Sequence, residues 1–192
     1  MARKYEFQPD KPRVSLLNKL YLTQKQRRTL LKWSLYALLL IVLSLLQDVV
    51  FCRWRLFGAT IELIPCAIFL ICFMEGAESG GTFALVSSAI YVFSGTAAGP
   101  YSMILITFIA VFVCIFRQGY LQPGFAAVML CTAFSVALYE LAVFFIGLLL
   151  GLTIPARLIG FVITAGFSCL AAPILYPLAL FIGSIGGETW KE

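Results

Sequence analysis

The carboxyl group of Glu140 most needs an explanation, because it lies near the middle of a long apolar run at residues 125–150. An acid at the centre of a membrane helix costs about 2–3 kcal/mol, so such a residue usually faces a bundle interior or water. Two roles are open for it: it ionises and takes part in proton transfer, or it stays protonated and donates a hydrogen bond to another helix. The adjacent Tyr139 lies at the same depth in the run.

Three other acids lie at the edges of apolar runs, where they cost little and are most simply interpreted as solvated loop residues: Glu62, Glu75 and Glu78. Carboxylates do general acid–base work together only when they converge on one pocket. If the N-terminus is cytoplasmic, Glu62 lies on the outer side of the membrane, whereas Glu75 and Glu78 lie on the cytoplasmic side. We therefore expect no shared site for them. The sequence shows no convergent polar site of the kind that a membrane enzyme needs.

The residue types exclude most catalytic and metal chemistry. The chain has no histidine, which removes Ser-His and Cys-His pairs and His-ligated metal sites. Its six cysteines lie mostly inside apolar runs without a CxxC pair, and we interpret them as small buried apolar residues. No glycine-rich stretch has the strand-turn-helix setting of a phosphate-binding loop. We therefore expect a protein that is not an enzyme and that has no cofactor and no metal.

The composition is that of a polytopic integral membrane protein. Of the 192 residues, 61% are hydrophobic and 12% are charged, and the apolar residues form several long stretches. Nine of the fourteen lysines and arginines lie within residues 1–32, around the start of the first apolar stretch. Positive charge beside a membrane helix marks the cytoplasmic side, and it contacts anionic lipid more often than nucleic acid. We therefore predict a cytoplasmic N-terminus that contacts anionic lipid, with no nucleic-acid partner.

Six membrane crossings are predicted by the apolar runs, which makes the fold class all-α. The first is at residues 31–50, where Gln47 lies close enough to the far end for interfacial water to solvate it. The third, of about thirteen residues, is short for a crossing, so it extends into the flanking glycines, thins the bilayer or is shielded by its neighbours. The others are at residues 61–74, 101–116, 125–150 and about 158–182.

These crossings divide the chain into three parts. Residues 1–30 form a basic cytoplasmic tail, in which residues 14–22 fit a short helix for the headgroup layer or for docking a partner. Residues 31–183 form the six-helix transmembrane domain. Residues 184–192 form a second tail, which an even number of crossings places in the cytoplasm as well.

A strip of small residues marks the third crossing. Gly76, Gly80, Ala84 and Ser88 recur every four residues, which on a helix leaves one face with almost no side-chain bulk. A neighbouring helix backbone can approach such a face closely. The strip predicts a segment that packs against other helices rather than one that faces lipid.

The order of several short features resembles that of the rod shape-determining protein MreD, over about residues 35–150. They are, in chain order, Gln47 at the end of the first crossing, Glu62 opening the second, EGA at 75–77, SGTAAGPY at 94–101, Arg117 ending the fourth, and YEL at 139–141. The glycine turn contributes Gly95, Gly99 and Tyr101. MreD proteins usually carry an aspartate shortly before this turn, and here Tyr91 stands near that position.

The resemblance implies a non-catalytic scaffold of the bacterial inner membrane. Such a protein binds MreC, connects indirectly to MreB and the RodA peptidoglycan synthase complex, and supports lateral peptidoglycan synthesis and cell shape. Its fold is implied to be similar to the substrate-binding subunits of energy-coupling factor transporters. We expect the partner to dock on the third crossing, where Gly80, Ala84 and Ser88 set the approach distance.

The alternative function is that of a substrate-binding subunit of an energy-coupling factor vitamin transporter. Those subunits usually carry a strip of small residues on the first crossing, where the energising subunit docks. In this chain the first crossing is bulky, with the sequence SLYALLLIVLSLL, and the strip lies on the third. The position of the strip therefore favours the scaffold.

Overall fold

The computed structural model describes residues 24–51, 60–120 and 124–185. Within those ranges the chain is helical and has no strand, which confirms the all-α fold class for this part. Its six α-helices are, in chain order, α1 at Gln24–Leu46, α2 at Leu63–Glu75, α3 at Ala77–Phe93, α4 at Tyr101–Tyr120, α5 at Phe125–Leu149 and α6 at Leu158–Ile185. A short π-helix at Gln47–Phe51 continues α1, and a 3-10 turn at Pro155–Arg157 leads into α6. The predicted helix at 14–22 lies outside the described residues.

Four of the described helical segments are long and apolar enough to cross a membrane. They are Gln26–Phe51, Tyr101–Tyr120, Phe125–Leu149 and Pro155–Ile185. They overlap the first, fourth, fifth and sixth predicted crossings, and they make the chain a multi-pass membrane protein. The remaining two helices, α2 and α3, have 13 and 17 residues and are too short for that test. Six crossings therefore stay a prediction.

The shortest helix, α2, lies at the centre of the bundle. Every residue from Leu63 to Phe73 is buried, and each of the other five helices packs against it. At 1.5 Å per residue its 13 residues rise about 20 Å, less than the hydrocarbon core of about 30 Å. The first turn of α2 is buried and its last two residues, Met74 and Glu75, are half-buried, so the other helices cover most of both of its ends.

The strip of small residues on α3 packs inside the chain. A Cβ atom on Gly80 would lie 2.5 Å from the backbone oxygen of Cys72, so the backbone of α3 rests directly on α2. Ala84 and Ser88 are completely buried, and the hydroxyl of Ser88 lies 3.2 Å from that of Thr107 on α4. The expectation that a partner docks on Gly80, Ala84 and Ser88 is therefore wrong, because α2 and α4 already cover these residues.

A single residue separates α2 from α3. Gly76, with φ of 92°, ends α2 and precedes α3, which begins at Ala77. Only a residue without a Cβ atom adopts this backbone conformation easily. The third helix thus extends into the glycines that precede its apolar segment, which is the first of the three explanations offered for its short apolar length.

The contact between Gly80 and α2 predicts a large effect for one added methyl group. Gly80→Ala places a Cβ atom against the Cys72 backbone, which cannot yield like a flexible side chain, so we expect a loss of about 1–3 kcal/mol in unfolding free energy. The matched control is Gly166→Ala in α6, where an added Cβ atom meets nothing within 4 Å. Unfolding in detergent micelles measures both variants. Equal stability of the two would contradict the packing described here.

Candidate functional site

Side chains from other helices satisfy the backbone at the first turn of α2. A helix start leaves N–H groups without intrahelical partners, and each costs several kcal/mol when no water can reach it. The side-chain oxygen of Gln47 accepts hydrogen bonds from the backbone N–H groups of Leu63 at 2.9 Å and Ile64 at 3.2 Å. Ser168 on α6 accepts the N–H of Glu62 at 3.0 Å. The expectation that interfacial water solvates Gln47 is wrong, because Gln47 is buried and caps α2.

The other end of α2 is closed by an arginine. Arg117 of α4 is only 2% exposed, and its guanidinium group donates a hydrogen bond to the backbone oxygen of Phe73. Arg117 had marked the end of the fourth crossing, but α4 continues to Tyr120. The Arg117 guanidinium group therefore lies inside the bundle, where it donates to a backbone carbonyl group in the last turn of α2.

Glu75, the last residue of α2, forms a buried cluster with Lys32 and Tyr36 of α1. Its carboxylate lies 2.5 Å from the Lys32 ammonium and accepts the Tyr36 hydroxyl at 2.8 Å. The side chains of Lys32 and Glu75 are each 9% exposed, and the Tyr36 oxygen also lies 3.3 Å from the backbone oxygen of Ala179 on α6. The interpretation of Glu75 as a solvated loop acid is wrong. Glu78 is exposed on the first turn of α3, in line with that interpretation.

A polar cavity of about 770 Å³ lies near the first turn of α2. We call it the carboxyl cavity, because two acids from different elements line it: Glu62, just ahead of α2, and Glu140 of α5. The remaining polar side chains in its wall are Thr60, Tyr101, Thr153, Arg157 and Thr164. The cavity is a convergent polar site of the kind that the sequence did not show.

The two acids of the cavity differ in how they are held. Glu62 accepts a hydrogen bond from the Tyr91 hydroxyl at 3.3 Å. Glu140 is only 3% exposed, and its Oε1 atom has no hydrogen-bond partner among residues 24–51, 60–120 and 124–185. Both carboxyl groups line the same cavity. Two like charges in a low-dielectric site repel each other, so a proton or a bound cationic group stabilises the pair.

Two buried tyrosines border the carboxyl groups. Tyr91 donates its hydroxyl to Glu62, so it supplies a hydrogen-bond donor rather than a further charge. Tyr139 is 1% exposed, and its hydroxyl is without a hydrogen-bond partner in the part of the chain that the structure describes. The polar region around Glu62 therefore extends from α3 to α5.

A second concave surface lies between α1 and α3. It has a volume of about 450 Å³ and an almost entirely apolar lining, and we call it the α1–α3 groove. The α1 side chains in it are Trp33, Ala37, Leu40, Ile41, Ser44 and Leu45. The α3 side chains are Thr82, Phe83, Val86, Ser87, Ile90, Tyr91 and Ser94.

The structure brings together some of the predicted site residues and separates others. Glu62 and Glu75 lie at opposite ends of α2, so they form no common site, as expected. Tyr101 joins Glu62 and Glu140 in the carboxyl cavity. Gly95 has a φ of 77° in the turn between α3 and α4, and a Cβ atom on Gly99 would lie 2.5 Å from the Tyr101 ring. Both glycines thus shape the turn.

Sequence reasoning missed Lys32, Arg117, Arg157 and Ser168. Lys32 belongs to a basic run that was assigned to topology as a whole, although it lies one helical turn before Tyr36. Arg117 ends an apolar run and so looked like an interfacial residue. Arg157 and Ser168 carry no local signal, because only the fold brings them near Glu62.

The Lys32–Glu75 pair predicts strong coupling between two substitutions. Lys32→Met leaves the Glu75 carboxylate buried without its cation and should lower the unfolding free energy by about 3 kcal/mol. Adding Glu75→Gln removes the charge but keeps an acceptor for Tyr36, so the double variant should recover at least half of that loss. Arg28→Met, at an exposed position on the same helix, is the control for losing one positive charge. Unfolding in detergent micelles measures the wild type, Lys32→Met, Glu75→Gln, the double variant and Arg28→Met, and additive losses from the two single variants would refute the buried pair.

No protein-family model, curated protein or solved structure matches this chain. The resemblance to MreD therefore rests on the residues quoted for it alone.

Proposed function

We propose that this chain is a non-catalytic membrane scaffold of the bacterial elongation machinery that binds a transmembrane helix of an MreC-like partner. The observation that supports this proposal is the α1–α3 groove, an apolar concave surface on the side of a membrane bundle. It lies along the third helix, where the partner was expected, but on a face beside the strip of small residues. The partner site thus moves from Gly80, Ala84 and Ser88 to the groove.

The packing of α1 leaves room for another helix. α1 packs chiefly on α6 and α2, and it has few contacts with α3. Ala37 and Ser44 on one wall and Ser87 on the other are small, so a third backbone can come close between the bulkier side chains. Helix association in lipid depends on such close packing, because the hydrocarbon chains are as apolar as leucine.

The same proposal includes the cellular setting implied by the resemblance. In it α2 and α3 also cross the bacterial inner membrane, which gives six crossings and a fold like that of the substrate-binding subunits of energy-coupling factor transporters. Both termini are cytoplasmic, and the basic N-terminal segment contacts anionic lipid. Through its MreC-like partner the scaffold connects to MreB and to the RodA complex that synthesises lateral peptidoglycan.

The carboxyl cavity favours a second candidate, a substrate-binding subunit of an energy-coupling factor vitamin transporter. Its volume of about 770 Å³ lies in the range of small-molecule sites, and its polar side chains come from several elements. Such a subunit would associate with a pair of ATPases through a membrane partner. The two candidates therefore differ in which proteins accompany the chain.

Co-purification of the tagged protein from native membranes tests the proposal. We expect MreC or the cell-wall synthase to be recovered, and Ala37→Trp, which fills the groove, to reduce that recovery at least tenfold. The matched control is Leu38→Trp, the next residue on α1, which is exposed outside the groove.

Each other outcome changes the proposal in a defined way. Equal recovery of MreC by both tryptophan variants would place the interface elsewhere. Recovery of an ATPase pair in place of MreC would replace the scaffold with the transporter subunit.

A further inference from the structure

An apolar groove between α5 and α6 shares part of its wall with the carboxyl cavity. This α5–α6 groove has a volume of about 290 Å³, and it shares Glu140 and Phe161 with the cavity. Its other side chains include Phe134, Leu141 and Val162, which are exposed on the side of the bundle. A polar chamber thus adjoins an apolar channel that faces the surrounding hydrocarbon. An amphiphile fits this arrangement, with its head in the cavity and its chain in the groove.

The charges in the cavity are arranged for a headgroup of both signs. Glu62 and Glu140 contribute two carboxyl groups, and Arg157 contributes a guanidinium group from the turn before α6. Within the described ranges Arg157 forms no ion pair with either acid. A ligand that carries a cationic and an anionic group can therefore bridge them.

The acceptors in the cavity favour a primary ammonium group over a quaternary one. Glu140 is only 3% exposed, and its Oε1 atom accepts no hydrogen bond from any of the described residues. A primary ammonium group offers three N–H donors, whereas a trimethylammonium group offers none. The orphaned oxygen and the nearby Glu62 carboxyl group can accept two of those donors.

We propose that this site binds a phospholipid with a primary ammonium headgroup. The ammonium group pairs with Glu140 and Glu62, the phosphate pairs with Arg157, and an acyl chain lies in the α5–α6 groove. The α5–α6 groove favours a lipid over a water-soluble zwitterion, because a soluble ligand has nothing to place against Phe134, Leu141 and Val162. The site shares no lining residue with the α1–α3 groove, so the lipid and the partner helix of the proposed scaffold can bind at the same time.

Binding to the delipidated full chain in detergent tests the site, with native mass spectrometry as the readout. The probes are phosphatidylethanolamine, phosphatidylcholine and phosphatidylglycerol with identical acyl chains. We expect phosphatidylethanolamine to bind at least tenfold more tightly than the other two. Equal binding of phosphatidylethanolamine and phosphatidylcholine would overturn the ammonium site.

Two variants test the ammonium group and the phosphate group of the lipid separately. Glu140→Gln should reduce phosphatidylethanolamine binding at least tenfold and leave phosphatidylglycerol binding unchanged. Arg157→Gln, on an exposed turn where folding is least affected, should weaken both lipids. Glu78→Gln removes an exposed acid outside the cavity and is the charge control. Unchanged phosphatidylethanolamine binding in both cavity variants would overturn the proposal.

The acyl-chain part is tested separately. Ala137→Phe fills the α5–α6 groove and should weaken phosphatidylethanolamine binding at least tenfold while leaving the weaker binding of soluble glycerophosphoethanolamine unchanged. Equal affinity for the soluble compound and the lipid, together with no effect of Ala137→Phe, would overturn the proposal that the ligand is a lipid. It would indicate a soluble zwitterion instead.

Discussion

The need to satisfy both ends of a short buried helix governs this bundle. α2 is shorter than the hydrocarbon core of a bilayer, and all five other helices pack around its 13 residues. In such a setting an unpaired backbone group costs several kcal/mol. Gln47, Ser168 and Arg117 meet part of that need from α1, α6 and α4. Each cap also fixes the position of the helix that supplies it.

This requirement separates the polar residues of the membrane region into two groups. One group has a structural task that the geometry shows, namely the caps of α2 and the cluster of Lys32, Tyr36 and Glu75. The other group comprises Glu140, Tyr139, Ser102 and Ser135, each of which has a buried side-chain oxygen without a hydrogen-bond partner within the described part of the chain. A buried acid in a membrane protein is costly, and no backbone N–H group among the described residues donates a hydrogen bond to this one. The proposed ligand site therefore centres on Glu140.

Much of the architecture could be predicted from the sequence, because long apolar runs have few structural solutions in a membrane. The runs predict α1, α4, α5 and α6, and the spacing of Gly80, Ala84 and Ser88 predicts close helix packing on α3. The sequence does not predict which helix packs against the small-residue face of α3, because the backbone of any helix can approach such a face closely. It therefore gave no basis for deciding between a partner and α2.

The candidate site was harder to predict, because its residues come from separate parts of the sequence and meet only in the folded bundle. Glu75 and Arg117 end apolar runs, and a residue in that position is equally suited to an interface and to capping a buried helix. Glu62 and Glu140 come from separate runs, and their meeting depends on how α5 packs beside the start of α2. Local periodicity carries no information about such a contact, which the tertiary packing alone determines.

Hydrogen exchange at the first amides of α2 measures the capping directly. In the wild-type chain in lipid nanodiscs, Leu63 and Ile64 should exchange slowly, because Gln47 accepts both of their N–H groups. Gln47→Leu removes the acceptor and should speed their exchange at least tenfold, as expected when buried donors lose a bond of about 1–3 kcal/mol. The amides of α4 should change little. Unchanged exchange at Leu63 and Ile64 would contradict the view that side chains of neighbouring helices hold α2 in place.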